Sequence, residues 1–419
     1  MLKKLTILVA TLVLAAALSS CTKARHDRSF PEKEVVMVFY GAGFNNLSSD
    51  IKRNIGIIKK GKLPFKDSRH KVLIFTHLSN SDSDFANLTE SHLVELSRDF
   101  GVFKADTLLT ISKERYASDP QVLHEVMQKV AELYPNAHYG LIVSSHGTGW
   151  LPAGRYTNSS NVVQYSVGSD VDKGLPLYRY NEDPGSPKVK SFSAEAEMRN
   201  GIRYSHETSI QSMAKAIGVH LDYLIFDACL MGCVEVAYEF KDVADKIAFS
   251  PTEVLVDGFD YTDISTLLND NIDLEGFCKR YFDYYDKHPS SRYATISAIR
   301  TDKLDALASL CSTLFEKYRS SINSLTMASG VQKYYRSGYS WFYDFEDIFV
   351  KAGISEADKA ALDAALDACI TYKAYTPIFI SIEINTYSGL SMHIPSEGNA
   401  DLRNFYKTLK WNEATNLVE

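Results

Sequence analysis

Short, uninterrupted apolar runs recur along this chain between segments with helical spacing, and this alternation narrows the fold more than any other feature of the sequence. Val35 to Tyr40 and Lys71 to Thr76 flank a helical segment from Asn45 to Lys60. Thr107 to Ile111 follows, then a helix from Asp119 to Leu133 stopped by Tyr134 and Pro135, then Tyr139 to Ser144. After a long interruption come a helix from Ser209 to Ile217, the run Tyr223 to Phe226, another helix, and Lys246 to Phe249. Continuous apolar runs of this length read as strands buried on both faces. Parallel strands need crossover helices, which cover both faces of the sheet. The pattern therefore predicts an α/β/α sandwich around a mostly parallel sheet of about six or more strands.

Residues 34–262 hold this alternation, and residues 263–419 read as a mainly helical part that completes the same domain. Candidate strands there are Ala294 to Ala298, Pro377 to Ile384 and Gly389 to His393, with helices expected to close over the sheet edge. One stretch breaks the rhythm, from about 150 to 205, rich in Gly, Pro, Asn, Ser and Tyr. A loop this long inside a compact domain is usually functional or disordered.

The N-terminus carries an address. Lys3 and Lys4 precede an apolar run from Leu5 to Leu18, about 14 residues where a membrane-spanning helix needs ~20. Residues 1–20 thus read as a signal peptide rather than a span. Leu18-Ser19-Ser20-Cys21 has the form of a bacterial lipobox, which would make Cys21 an acylated new N-terminus, tethered by residues 21–33 to a membrane of the cell envelope. An ordinary signal peptide ending near a cysteine is the alternative.

The formal net charge of −7 argues against a nucleic-acid role, which demands a surplus of lysine and arginine on one face. An acidic site for a basic substrate stays open. Beyond Cys21 stand five cysteines, Cys229, Cys233, Cys278, Cys311 and Cys369, too irregular for a disulfide framework and odd in number. Cys229 and Cys233 are four apart, on a helix opened by the strand turn, but no second pair has zinc spacing, and no metal site is expected. His138 and His206 read as surface residues.

In open α/β sheets, ligands bind beyond the carboxyl ends of the strands. Leu141-Ile142-Val143 runs into Ser144, Ser145, His146 and Gly147; Leu224-Ile225-Phe226 runs into Asp227, Ala228 and Cys229. A histidine and a cysteine at matched strand ends suit nucleophilic catalysis. The imidazole helps form the thiolate and later protonates the leaving amine. Gly147 allows close backbone approach, and its N–H with that of Cys229 would form an oxyanion hole. Taken singly, either residue is also compatible with a buried structural cysteine or a satisfied loop histidine.

His146-Gly-Thr-Gly-Trp150 and Asp227-Ala-Cys-Leu-Met-Gly232 resemble the two signature motifs of the clostripain-like cysteine peptidases. Tyr40 to Leu47, Asp257 to Tyr261 and Gly389 to Pro395 also resemble family segments, so the likeness runs from about Val35 to Pro395. It implies a caspase-like fold, a Cys229–His146 dyad, and a protein or peptide substrate cleaved after Arg or Lys. It further implies activation by cleavage between the two motifs, for which Arg155, Lys173 and Arg179 are candidates, with Lys188 and Lys190 further basic residues. Asp227 and Asp257 are the carboxylates it places beside the specificity pocket; a cap or turn role fits them too. No cofactor is required, while calcium is a family property that stays open. Phe44 stands where an acid is common, and Ser250-Pro251-Thr252-Glu253 replaces a segment with two consecutive glutamates. A monomer is expected. The competing readings are a non-catalytic surface lipoprotein that binds peptides or glycans, for which the anchor and 25 tyrosines speak, and an inactive homologue.

Overall fold

The computed structural model describes residues 33–81, 84–153, 177–179, 195–199, 202–336 and 341–419. In chain order these form β1 (Val35–Gly43), α1 (Ser48–Lys60), β2 (His70–Leu78), β3 (Ser91–Asp99), β4 (Val102–Ile111), α2 (Pro120–Leu133) and β5 (His138–Ser144). Next come β6 (Leu177–Arg179), β7 (Glu195–Arg199), β8 (Ile202–His206), α3 (Ile210–Ile217), β9 (Leu221–Asp227), α4 (Val234–Glu239) and β10 (Ala244–Phe249). The remainder is α5 (Leu274–Asp286), β11 (Thr295–Arg300), α6 (Leu304–Ser324), β12 (Tyr343–Asp344), α7 (Phe345–Lys351), α8 (Glu356–Cys369) and β13 (Ile370–Tyr375). Two short strands, β14 (Ile378–Phe379) and β15 (Ile382–Glu383), then β16 (Ser391–Met392), α9 (Ala400–Tyr406) and α10 (Lys410–Thr415) close the chain.

Among the described residues, nine strands make the main sheet in the order β13-β11-β10-β9-β5-β1-β2-β3-β4. β2, β1, β5, β9 and β10 are mutually parallel, and only β3 and β11 run against the common direction. Strand alternation splits each central strand between two cores. From β1, Val36, Val38 and Tyr40 join a core under α2, α3, α4 and α6, while Met37 and Phe39 join one under α1 and α5. The α/β/α sandwich expected from the sequence is the observed architecture.

The helices start where the sequence signals them. Asp119 caps α2 by accepting from the Gln121 N–H, with Pro120 at its first position, and Ser209 caps α3 through Ser212.

Two expectations need correction. The C-terminal part does not close the sheet edge with helices; it extends the sheet with β11 and β13, and its helices pack on the faces. Pro377 to Ile384 is not one strand. The strand is Ile370–Tyr375, which alternates half-buried and exposed residues on an edge and so lacks the continuous apolar signature. β3 was invisible for the same reason: Ser91, Glu95, Ser97 and Arg98 interrupt its apolar residues.

The interruption between β5 and α3 holds structure too. β6, β8 and β7 pair antiparallel in a small sheet. Glu195, at the start of β7, is fully buried: Oε1 lies 2.7 Å from His77 Nδ1, and Oε2 accepts from the Ser118 N–H and hydroxyl at 2.7 and 3.0 Å. The Ala196 N–H donates to the Phe44 carbonyl at 2.7 Å. This return strand is thereby fastened to the end of β1. His206 is not a surface residue. It is buried, stacked on Tyr116 at 3.9 Å and bonded to Glu197 at 2.7 Å. His138, half-buried, pairs with Asp222.

Candidate active site

β5 and β9 are adjacent and parallel, with Ser144 opposite Asp227 on their last rung. His146 and Cys229 each stand two residues beyond that rung, so both emerge at the same sheet edge. Cross-links hold the strand ends: Ser144 Oγ donates to Asp227 Oδ2 at 2.9 Å, and Ser145 Oγ to the Ala42 carbonyl at 2.7 Å. β1 borders β5 on its other side, with Gly41 opposite Ser144, and this brings the turn after β1 to the same edge.

That turn supplies a residue the sequence reading missed. Asn46 Oδ1 lies 2.7 Å from His146 Nε2. An amide oxygen only accepts, so Nε2 carries the proton and a neutral ring keeps Nδ1 as its basic nitrogen. Two consecutive asparagines closing a buried strand, where the chain turns into a helix, were the available signal.

Gly147 lies close against the Cys229 backbone. A Cβ built there would sit 2.2 Å from the Cys229 carbonyl oxygen and 2.8 Å from its nitrogen, so any side chain forces the two turns apart. The Cys229 turn is itself tight: Leu230 has φ of 62°, uncommon for a branched residue. Backbone bonds brace it to the segment after β10, Leu230 N–H to Thr252 O and Gly232 N–H to Ser250 O, both at 2.8 Å. Cys233 is the N-cap of α4 rather than a residue within it, so the turn is longer than its spacing suggested.

The same segment covers the thiol. The Val254 N–H donates to Cys229 Sγ at 3.2 Å, and the Val254 carbonyl lies 3.7 Å away. Cys229 is 2% exposed and His146 7%. Next to Val254, the carboxylate of Glu253 is held by the Arg336 guanidinium at 2.5 and 2.9 Å in a largely buried fork.

The other four described cysteines are buried, and none of the five forms a disulfide. Burial pushes the Cys233, Cys278 and Cys311 thiols far up and Cys369 to about 12, which leaves them inert. Cys229 is the one that emerges at the same sheet edge as His146.

The two aspartates expected beside the specificity pocket have unlike surroundings. Asp227 is fully buried and accepts from Ser144 and from the Tyr261 hydroxyl at 3.0 Å. Asp257 is half-exposed and pairs with Arg53 at 2.8 Å. Both reach the electrostatic environment of the buried Tyr285, whose hydroxyl donates to the Gly258 carbonyl.

The residues at the two positions where the resemblance departs do not fit a calcium ion. Phe44 is buried, stacked on His77 with ring centres 4.7 Å apart, and both oxygens of Glu253 are taken by Arg336. Among the described residues no group of three or more His, Cys, Asp or Glu is arranged to hold a metal ion. Cys21, Arg155, Lys173, Lys188 and Lys190 lie outside the described residues. Arg179 is in β6, with its backbone opposite Tyr204.

Residues 205–414 match the model of the Clostripain family. An inactive zymogen C11 protease from Parabacteroides distasonis is 28% identical, with TM-score 0.70 over 91% of this chain and 98% of its own. A secreted C11 cysteine protease from Bacteroides thetaiotaomicron, iotapain, shares the fold at 22% identity and TM-score 0.69, over 92% of this chain and all of its own. A secreted C11 cysteine protease from the same organism, in complex with an irreversible peptide inhibitor, shares it at 20% identity and TM-score 0.69, over 92% and 99%. Among curated proteins, none matches.

Proposed function

The chain belongs to the clostripain family of cysteine proteases, and on that footing we propose that it is an endopeptidase cleaving after Arg or Lys through Cys229 and His146. The observation that carries this reading is the shared last rung, Ser144 opposite Asp227, which delivers both side chains to one edge.

In this mechanism His146 Nδ1 takes the thiol proton as Cys229 Sγ bonds to the scissile carbonyl carbon. The N–H groups of Gly147 and Cys229 receive the developing oxyanion. The imidazolium then protonates the departing amine, leaving a thioester. A water that gives its proton to Nδ1 attacks the thioester and releases the acid and the thiol. Asp227 and Asp257 set the preference for a basic residue before the bond, through paired hydrogen bonds to a guanidinium or a single ammonium contact.

A thiol that is 2% exposed and covered by Val254 suits an enzyme that waits for activation. The similar Parabacteroides distasonis protein is described as an inactive zymogen. Self-cleavage in the 150–205 stretch, at Arg155, Lys173 or Arg179, would free the segments that bracket the site. Acylation of Cys21 would hold a monomeric enzyme at the cell envelope; among the described residues no helix is long and apolar enough to cross a membrane.

The test is hydrolysis of fluorogenic peptides ending in Arg, Lys, Asp or Leu by a chain starting at Thr22, before and after trypsin nicking, beside Cys229→Ala. Cleavage after Arg or Lys that vanishes in the variant supports the reading. No cleavage in any form moves the weight to a non-catalytic role.

A further inference from the structure

At the sheet edge opposite His146 and Cys229, the hairpin of β3 and β4 turns on two residues, Phe100 and Gly101, between the paired Asp99 and Val102. Both have positive φ, 49° and 84°. Two-residue turns of this kind favour Asn-Gly or Gly-Gly, because a Cβ strains left-handed backbone. Yet the first position holds a phenylalanine, and the residue is 97% exposed. Neither local conformation nor core packing accounts for Phe100.

It does not stand alone. Phe65 is 62% exposed and Val102 61%. The Phe65 loop is fastened to the hairpin, since the Arg98 N–H donates to the Pro64 carbonyl and the Lys66 N–H to Asp99 Oδ1, both at 2.9 Å. Lys60, Lys62, Phe65, Arg98 and Phe100 line one groove, with Asp263 as its acid. Lys59 and Arg98 flank the Phe103 ring at 6.0 and 5.9 Å. Lys66 and Lys104 are balanced by Asp106 and Asp99. That leaves Lys59, Lys60, Lys62 and Arg98 facing Asp67 and Asp263, a surplus of positive charge around exposed apolar side chains.

The tether leaves from this edge as well. β1 begins at Val35 opposite His70, the first residue of β2, and the Lys33 carbonyl accepts from Arg69 at 3.0 Å. Eleven residues separate Cys21 from Lys33, a reach of at most about 40 Å. An acyl anchor at Cys21 would thus be attached on the side of the sheet away from His146 and Cys229, which favours the approach of this face to the bilayer.

We propose that this face docks on an anionic membrane surface, with Phe65, Phe100 and Val102 entering the headgroup region and the lysines meeting lipid phosphates. Exposed aromatic side chains ringed by basic residues are what such an interface binds. β5 rises about 20 Å from His138 to Ser144, so the docked enzyme presents His146 and Cys229 on the side away from the bilayer.

The orientation rests on the Cys21 reading, but the surface can be tested without it. Every described element lies at or beyond residue 33, so a chain starting at Thr22 keeps the whole fold. Its flotation with phosphatidylcholine vesicles, with and without phosphatidylglycerol, is compared with that of a Phe65→Ser, Phe100→Asn double variant. The wild type should float with the anionic vesicles, less so at high salt. The variant should partition at least tenfold less, while Phe100→Asn alone melts no lower, since Asn-Gly suits the turn. Failure of the wild type to bind, or equal binding by the variant, overturns the proposal. Acylation of Cys21, read from the mass of the full-length product in a bacterial host, tests the anchor separately.

Discussion

Asn46 Oδ1 accepts a hydrogen bond from His146 Nε2 at 2.7 Å, so a residue from the end of β1 fixes both the tautomer and the tilt of an imidazole at the end of β5. Asn46→Ala should lower kcat/KM by about 10²-fold on a basic-residue peptide, the cost of a misplaced catalytic group. Asn46→Asp sets a carboxylate beside the ring and favours the imidazolium, so the acidic limb of the pH–rate profile should move to higher pH. An unchanged profile in both variants would remove Asn46 from the mechanism.

Gly147→Ala places a methyl group 2.2 Å from the Cys229 carbonyl oxygen, and backbone must move to admit it. The expected loss is about 10²- to 10³-fold in kcat, comparable to losing an oxyanion donor, with a stability cost of about 1–3 kcal/mol from overpacking. Parallel kinetics and thermal melts separate the two effects. Full activity in a stable variant would exclude the close approach.

Arg336→Ala leaves the carboxylate of Glu253, 2% exposed, without its fork. Breaking a buried pair from one side costs roughly 3–5 kcal/mol, to be read as a lower midpoint in urea. Lysine cannot reproduce two parallel bonds, so Arg336→Lys should recover only part. If alanine melts as the wild type does, the ion pair contributes nothing to the fold.

Glu235, on α4 just past the Cys229 turn, accepts from the His393 N–H at 2.9 Å and the Tyr406 hydroxyl at 2.7 Å. Burial pushes its carboxyl up to about 7. A raised folded pKa means that stability is fully present below the unfolded value near 4.5 and is lost as pH rises through 7, by roughly 3 kcal/mol. His393 acts in the opposite sense: burial holds it down at about 3, so its contribution is lost as pH falls from about 6.5 toward 3. Between about pH 4.5 and 6.5 the two slopes oppose each other, so the melting temperature should be nearly level there and fall on either side. Glu235→Gln should remove one slope and leave the melting temperature rising with pH up to about 6.5; a profile unchanged from the wild type would contradict this.

The strands that position the site were legible because they are buried on both faces. Leu141-Ile142-Val143 and Leu224-Ile225-Phe226 carry no polar interruption, and their ends locate His146 and Cys229. β13, on the sheet edge, and β3, inside it between β2 and β4, escaped because both mix polar and apolar residues. Asn46, Val254 and Arg336 were hidden for a different reason. They act across separations of 100, 25 and 83 residues, through backbone or through a side chain whose partner only the fold reveals. His206 misled because its burial depends on stacking against Tyr116 from a distant loop.

The cover over Cys229 also bears on chemical durability. If the chain is exported, it would meet oxidants and stray disulfides, and sulfenic acid formation requires an accessible thiolate. With Val254 N–H on the sulfur and 2% of the residue in contact with solvent, the Cys229 thiol is shielded from small oxidising molecules for as long as it is shielded from peptides. Opening the site would thus start two clocks together, one for catalysis and one for oxidative loss of the enzyme.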